Sequence, residues 1–140
     1  MRSKPVKSRP VLIGCVLLAA VVSAGGYPRP QKESASTRFE TRCGWFSNPT
    51  PANVWLYDRD AEWTIGVQGG YQVEGDWDWP DFKPGQWVRT NGNYGYGCAC
   101  LQVRVNKETH RVLEIKSARA RPLATCRRDR ALSKWKRALE

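Results

Sequence analysis

The chain has 140 residues, with 23 Lys plus Arg against 13 Asp plus Glu, a formal charge of +10 and a single histidine beside five cysteines. That length suits one domain, and one histidine excludes a multi-histidine zinc centre. A basic balance points toward anionic partners, but nucleic acid is not expected, because no nucleic-acid-binding motif accompanies the charge.

Residues 1–24 read as a signal peptide. Arg2, Lys4, Lys7 and Arg9 precede an almost wholly apolar run, 11–22, and Val22-Ser23-Ala24 supplies small residues for cleavage. A retained membrane anchor is the alternative, but the run is shorter than the roughly 20 residues a span needs. Leu12-Ile13-Gly14-Cys15 matches a lipobox as a string, yet the apolar run follows that cysteine. Cleavage near Ala24 leaves a charge of +6 and four cysteines, an even number suited to an oxidising compartment. The expected location is the periplasm or the medium.

Residues 25–42, rich in Gly, Pro and Ser, read as a linker. A disulfide-stapled β domain is expected over 43–132 and a basic tail over 133–140. Asn48-Pro49-Thr50-Pro51 reads as a turn. Val54-Trp55-Leu56-Tyr57 and Glu62 to Val67 form a predicted hairpin, with Trp63, Ile65 and Val67 on one face. Tyr71 to Glu74 is a further candidate strand. Residues 74–85, broken by Pro80 and Pro84, read as a loop. Gln86 to Thr90 is strand-like, and Asn91-Gly92-Asn93 is a hairpin turn. Residues 97–105 and 111–117 form the last predicted hairpin. After Pro122, Leu132, Trp135 and Leu139 fall at helical spacing, which predicts a short C-terminal helix with a frayed end.

Within 97–105, residues two apart share a face. Ala99, Leu101, Val103 and Val105 lie on one side; Cys98, Cys100, Gln102 and Arg104 lie on the other. Neighbours on one face of a strand do not bond to each other. That leaves Cys43–Cys98 with Cys100–Cys126, or Cys43–Cys100 with Cys98–Cys126. A redox-active Cys-X-Cys would sit beside a cation or at a helix N-terminus; a strand favours a structural clamp. The fold expected is mainly β: a small antiparallel meander, barrel or sandwich with a short C-terminal helix and two disulfides.

Several strings resemble one family. Cys43-Gly44-Trp45-Phe46-Ser47-Asn48-Pro49-Thr50-Pro51, Asn53 to Asp60, Glu62-Trp63-Thr64, Gln68-Gly69-Gly70-Tyr71 and Thr90 to Cys100 look like the bacterial domain of unknown function numbered 4087. The resemblance covers about residues 43–132. It implies a small exported bacterial protein and supplies no catalytic residue.

Residues 53–82 carry seven acids and one base, whereas residues 116–140 carry nine bases and two acids. Mutual attraction of the two segments is one reading. Weak contact of the basic end with an anionic surface is the other. The candidate binding surface is Asp76, Trp77, Asp78, Trp79 and Asp81, with Tyr94 and Tyr96 as an extension: indoles offer area with little entropy loss, and carboxylates accept hydrogen bonds from sugar hydroxyls or protein donors. The alternative is that Trp77 and Trp79 cap the core. Calcium at Asp76, Asp78 and Asp81, or at Asp58, Asp60 and Glu62, has carboxylates but no EF-hand spacing, so no metal or cofactor is expected. His110 reads as a solvated turn residue, and no nucleophile–base set is present. The sequence therefore predicts a non-catalytic binding module of the cell envelope whose partner is a protein, of inhibitor or immunity type. A glycan or peptidoglycan ligand is the alternative, and a small hydrolase the remote one.

Overall fold

The structure is a computed structural model that describes residues 37–140. The signal peptide, Cys15 and the 25–36 part of the linker lie outside the described residues. Among the described residues six strands form: β1 (Glu40–Thr50), β2 (Asn53–Asp58), β3 (Glu62–Gly66), β4 (Trp87–Asn91), β5 (Tyr94–Asn106) and β6 (Arg111–Arg121). They hydrogen-bond in the order β1-β2-β3-β6-β5-β4, and β1 also pairs with β5. That extra pairing closes β1, β2, β3, β6 and β5 into a small barrel, with β4 a short flap beside β5. The long β5 makes this possible. One of its edges takes β1, and the other takes first β4 and then β6.

All pairings are antiparallel except β3–β6, a parallel junction of one register pair, Thr64 with Arg111. The Thr64 amide reinforces it by donating to the His110 carbonyl at 2.8 Å. His110 sits at φ 51°, in the left-handed region, at the end of the β5–β6 turn. The histidine is thus an exposed turn residue whose backbone closes the ring.

The alternation of β5 sets the two sides of the wall. Ala99, Leu101, Val103 and Val105 point into the lumen with Phe46, Leu56, Trp63, Ile65 and Val112, and all are buried. The opposite face of β5 is buried at Cys98 and half-open at Gln102 and Arg104, as its pattern predicts. There Trp45, Tyr57, Cys98 and Cys126 form a second cluster on the outside of the barrel. It is covered by α1 (Leu123–Arg128), a 3-10 helix (Arg130–Trp135) and α2 (Lys136–Leu139).

The disulfides are Cys43–Cys100, between directly opposed residues of β1 and β5 with Cα atoms 4.0 Å apart, and Cys98–Cys126, tying β5 to α1 at 5.7 Å. This selects the second of the two pairings. Closing loops that span 57 and 28 residues removes unfolded-chain entropy worth about 4 kcal/mol each in the loop-closure model.

Four expectations need correction. The linker does not run to residue 42: Glu40, Thr41 and Arg42 already pair with Val103, Gln102 and Leu101. Their polarity hides a strand, because Arg42 is buried as an ion pair rather than as an apolar residue. The turn expected over Asn48-Pro49-Thr50-Pro51 begins only at Pro51. The strand runs through Thr50, and Ala52 turns it at φ 58°, with the Asn48 amide donating to the carbonyls of Thr50 and Asn53. Tyr71 to Glu74 is not a strand; it makes one isolated bridge, Gly66 to Gln72. Residues 133–140 are not a loose tail. Leu139 is buried, and the Trp135 indole N–H donates to the Asp58 carbonyl at 2.7 Å.

Candidate functional site

The acidic–aromatic segment between β3 and β4 folds back over the Phe46 end of the lumen. Phe46 faces inward, and three rings of the segment meet it: Trp79 edge-on at 5.2 Å, Phe82 at 6.1 Å and Trp77 at 6.4 Å. Trp77 and Trp79 stack on each other at 5.4 Å with planes 15° apart. Phe82 leans on Trp87 of β4 at 4.9 Å. Gly97 makes room for this packing. A Cβ there would come within 2.4 Å of the Phe82 ring and 2.8 Å of the Gln86 carbonyl oxygen.

The two indoles therefore divide the two roles the sequence offered. Trp77 is half-buried against the core, whereas Trp79 keeps 49% of its surface exposed. Asp76, Asp78 and Asp81 are exposed around it, and Asp81 pairs locally with Lys83. Stacking on Trp77 and Phe46 fixes the Trp79 ring before any partner arrives, so little side-chain entropy remains to be lost on contact.

Tyr96 does not extend this patch. It lies on the outer face of β5, edge-on to Trp45 at 5.4 Å, on the far side of the wall from Trp79. Tyr94 is two residues earlier on the same strand and so shares that face. The physical reason is the strand period: Tyr94 and Tyr96 alternate with Gly95 and Gly97, and the glycines take the face that the loop covers.

The acids of the β2–β3 turn do something else. Asp58 is buried and accepts from the Arg42 guanidinium at 2.5 Å, while its other oxygen accepts from the amides of Asp60 and Ala61 at 2.7 and 2.8 Å. Arg42 also pairs with Glu40 at 2.8 Å and Asp60 at 3.1 Å, and it lies 3.9 Å over the Trp63 ring. Burial works against its charge. The hydrogen bonds and charges of Asp58 and Glu40 more than offset this and hold its pKa above the ordinary arginine value. Among the described residues no three carboxylate, cysteine or histidine side chains converge as a metal site; Asp58 and Asp60 turn toward Arg42 instead.

The acidic and basic segments do meet, but through the base of the first and an acid of the second. Arg59 of the acidic turn pairs with Asp129 of the basic end at 3.2 Å, and Lys134 donates to the Arg59 carbonyl at 2.8 Å. This docking leaves a cleft of about 550 Å³ between the outer barrel wall and the C-terminal helices. Trp45, Tyr96, Leu132 and Leu139 form its apolar lining, and Arg127, Arg130 and Lys136 are among the charged residues that line it. The sequence reading did not find it. The helical spacing of Leu132 and Leu139 was visible, but their partner Trp45 is about ninety residues away in sequence.

These features define a small disulfide-clamped barrel with an aromatic loop on one side of its wall and a basic helical cap on the other. A family model, Protein of unknown function (DUF4087), matches residues 37–133, and the chain belongs to that family. No curated protein and no solved structure matches it significantly.

Proposed function

We propose that the mature chain is an exported, non-catalytic binding module of the cell envelope that docks a partner protein through the Trp79 surface. The observation that supports this reading is the half-exposed Trp79 ring, held in place by Trp77 and Phe46 and flanked by exposed carboxylates. Interface hot spots are enriched in tryptophan, and a ring already held in place loses little entropy on contact. The surrounding acids select a basic partner surface with an apolar socket and disfavour acidic ones. Two disulfides suit a scaffold that works in an oxidising compartment.

The test is capture from envelope extract on immobilised wild-type protein and on Trp79→Ala. A single stoichiometric partner, bound at least about tenfold more weakly by the variant, is the expected result. Near-UV circular dichroism verifies that the variant is folded. Retention on purified wall polymer that disappears in Trp79→Ala would transfer the role to a glycan. Turnover of such a polymer, abolished by changing one carboxylate, would replace the proposal with an enzyme.

A further inference from the structure

The cleft under the C-terminal helices is separate from the Trp79 surface. Trp45 and Phe46 are adjacent on β1 and point to opposite sides of the wall: Phe46 meets Trp79, and Trp45 lines the cleft. Its volume, about 550 Å³, lies in the range of small-molecule sites. Its lining mixes apolar residues with charged ones, the composition an amphiphilic ligand would need. Trp45 and Tyr96 are locked edge-on, and Leu132 and Leu139 are held by the helices.

The charge at the cleft has a definite sign. Arg127, Arg130 and Lys136 are exposed, and none pairs with a carboxylate among the described residues. Asp129 is already engaged, with one oxygen accepting from Arg59 and the other from the Ala131 amide. Glu140 is the one remaining acidic side chain in the lining. Three cations without a carboxylate partner, beside an aromatic and aliphatic floor, favour a ligand with a negative head and an apolar body.

We infer that this cleft binds a monomeric, single-chain amphiphilic anion, of which a medium-chain fatty carboxylate is the simplest form. The head sits among Arg127, Arg130 and Lys136, and the chain lies along Trp45 and Leu139. The cations are rim groups rather than buried ones, so binding is salt-sensitive. The Trp79 surface takes no part in it, so this inference and the protein-docking proposal can fail separately.

Calorimetric titration with decanoate below its micelle concentration, in low salt, is the test. Decyltrimethylammonium serves as the tail-matched cation and acetate as the tailless anion. The expected outcome is saturable 1:1 binding of decanoate alone. Arg130→Gln and Lys136→Gln should each weaken it about fivefold, the upper end for exposed charge contacts. Glu140→Gln should tighten it, and Trp79→Ala should leave it unchanged. Phosphatidylglycerol vesicles form a second arm: vesicle binding lost in Arg130→Gln/Lys136→Gln without saturable binding of free decanoate would overturn the inference in favour of an anionic membrane surface. Equal binding of the cationic tail, absence of saturable decanoate binding, or decanoate binding indifferent to the double variant would each overturn the inference.

Discussion

Arg42→Met should cost this fold more than any other single charge removal on its surface or in its core. The guanidinium is 8% exposed, its main partner Asp58 is 3% exposed, and their nearest atoms are 2.5 Å apart. Charge centres about 4 Å apart attract by about 4 kcal/mol at an effective dielectric near 20. Methionine keeps an unbranched apolar stem but removes the guanidinium that lies over Trp63, and it leaves the Asp58 carboxylate buried without a counter-charge. Breaking one side of a buried pair costs about 3–5 kcal/mol. Asp58→Asn belongs in the same range or slightly below, because an amide oxygen can still accept from Asp60 and Ala61. Asp60 is 64% exposed, and Asp60→Asn should cost less than about 1 kcal/mol. Non-reducing urea denaturation, followed by tryptophan fluorescence, measures all three. The Arg42–Asp58 double-mutant cycle should return a coupling of about 1.5–3 kcal/mol. A cost for Arg42→Met no greater than that of Asp60→Asn, or a coupling near zero, would refute the assignment of Arg42 as a buried anchor of β1.

The two disulfides should differ in accessibility. Cys43 is exposed and Cys100 half-buried, whereas Cys98 and Cys126 are both buried under the helical cap. Limiting dithiothreitol followed by alkylation and mass spectrometry should label Cys43 and Cys100 at least about tenfold sooner, since the other pair needs local opening; the reverse order would contradict the burial of Cys126. Tyr57 should confer a pH dependence. Burial, with a smaller contribution from the Glu62 charge, pushes its phenol up to about 12 from an ordinary value of 10. Above pH 10 the unfolded chain loses this proton first, so the contribution is intact below pH 10 and is lost as pH rises toward 12. Tyr57→Phe should flatten that part of the stability profile, and tyrosinate absorbance should show one late-titrating phenol missing from the variant.

Much of the barrel wall was legible because strands announce themselves by period. The alternation of β5 predicted both its lumen stripe and its cysteine face, and the even cysteine count predicted two clamps. The pairing itself stayed open, since Cys98 and Cys100 share a face and only the register of β1 decides which of them opposes Cys43. Ring closure was not legible either. It depends on β5 being long enough to serve three neighbours, and on one backbone contact at His110 that any residue tolerant of positive φ could supply. The start of β1 escaped for a different reason: a strand that buries an arginine against aspartate has no apolar signature to read.

The surfaces show where reading by segments stops. Asp76 to Phe82 stood out because aromatic residues clustered in a loop, and proximity in sequence was enough to keep Trp77, Trp79 and Phe82 together in space. Tyr94 and Tyr96 look like part of the same patch because they too are aromatic and near a turn. The wall lies between them and Trp79, because Gly95 and Gly97 alternate with the two tyrosines and occupy the other face. The helical cap is the converse case. Its cations look like a solvated tail in sequence, yet Trp135 and Leu139 fasten them to β2 and to Trp45. A charged segment becomes a cleft wall only through such apolar anchors. They come from a strand far away in sequence, so no window of the sequence contains both halves of the site.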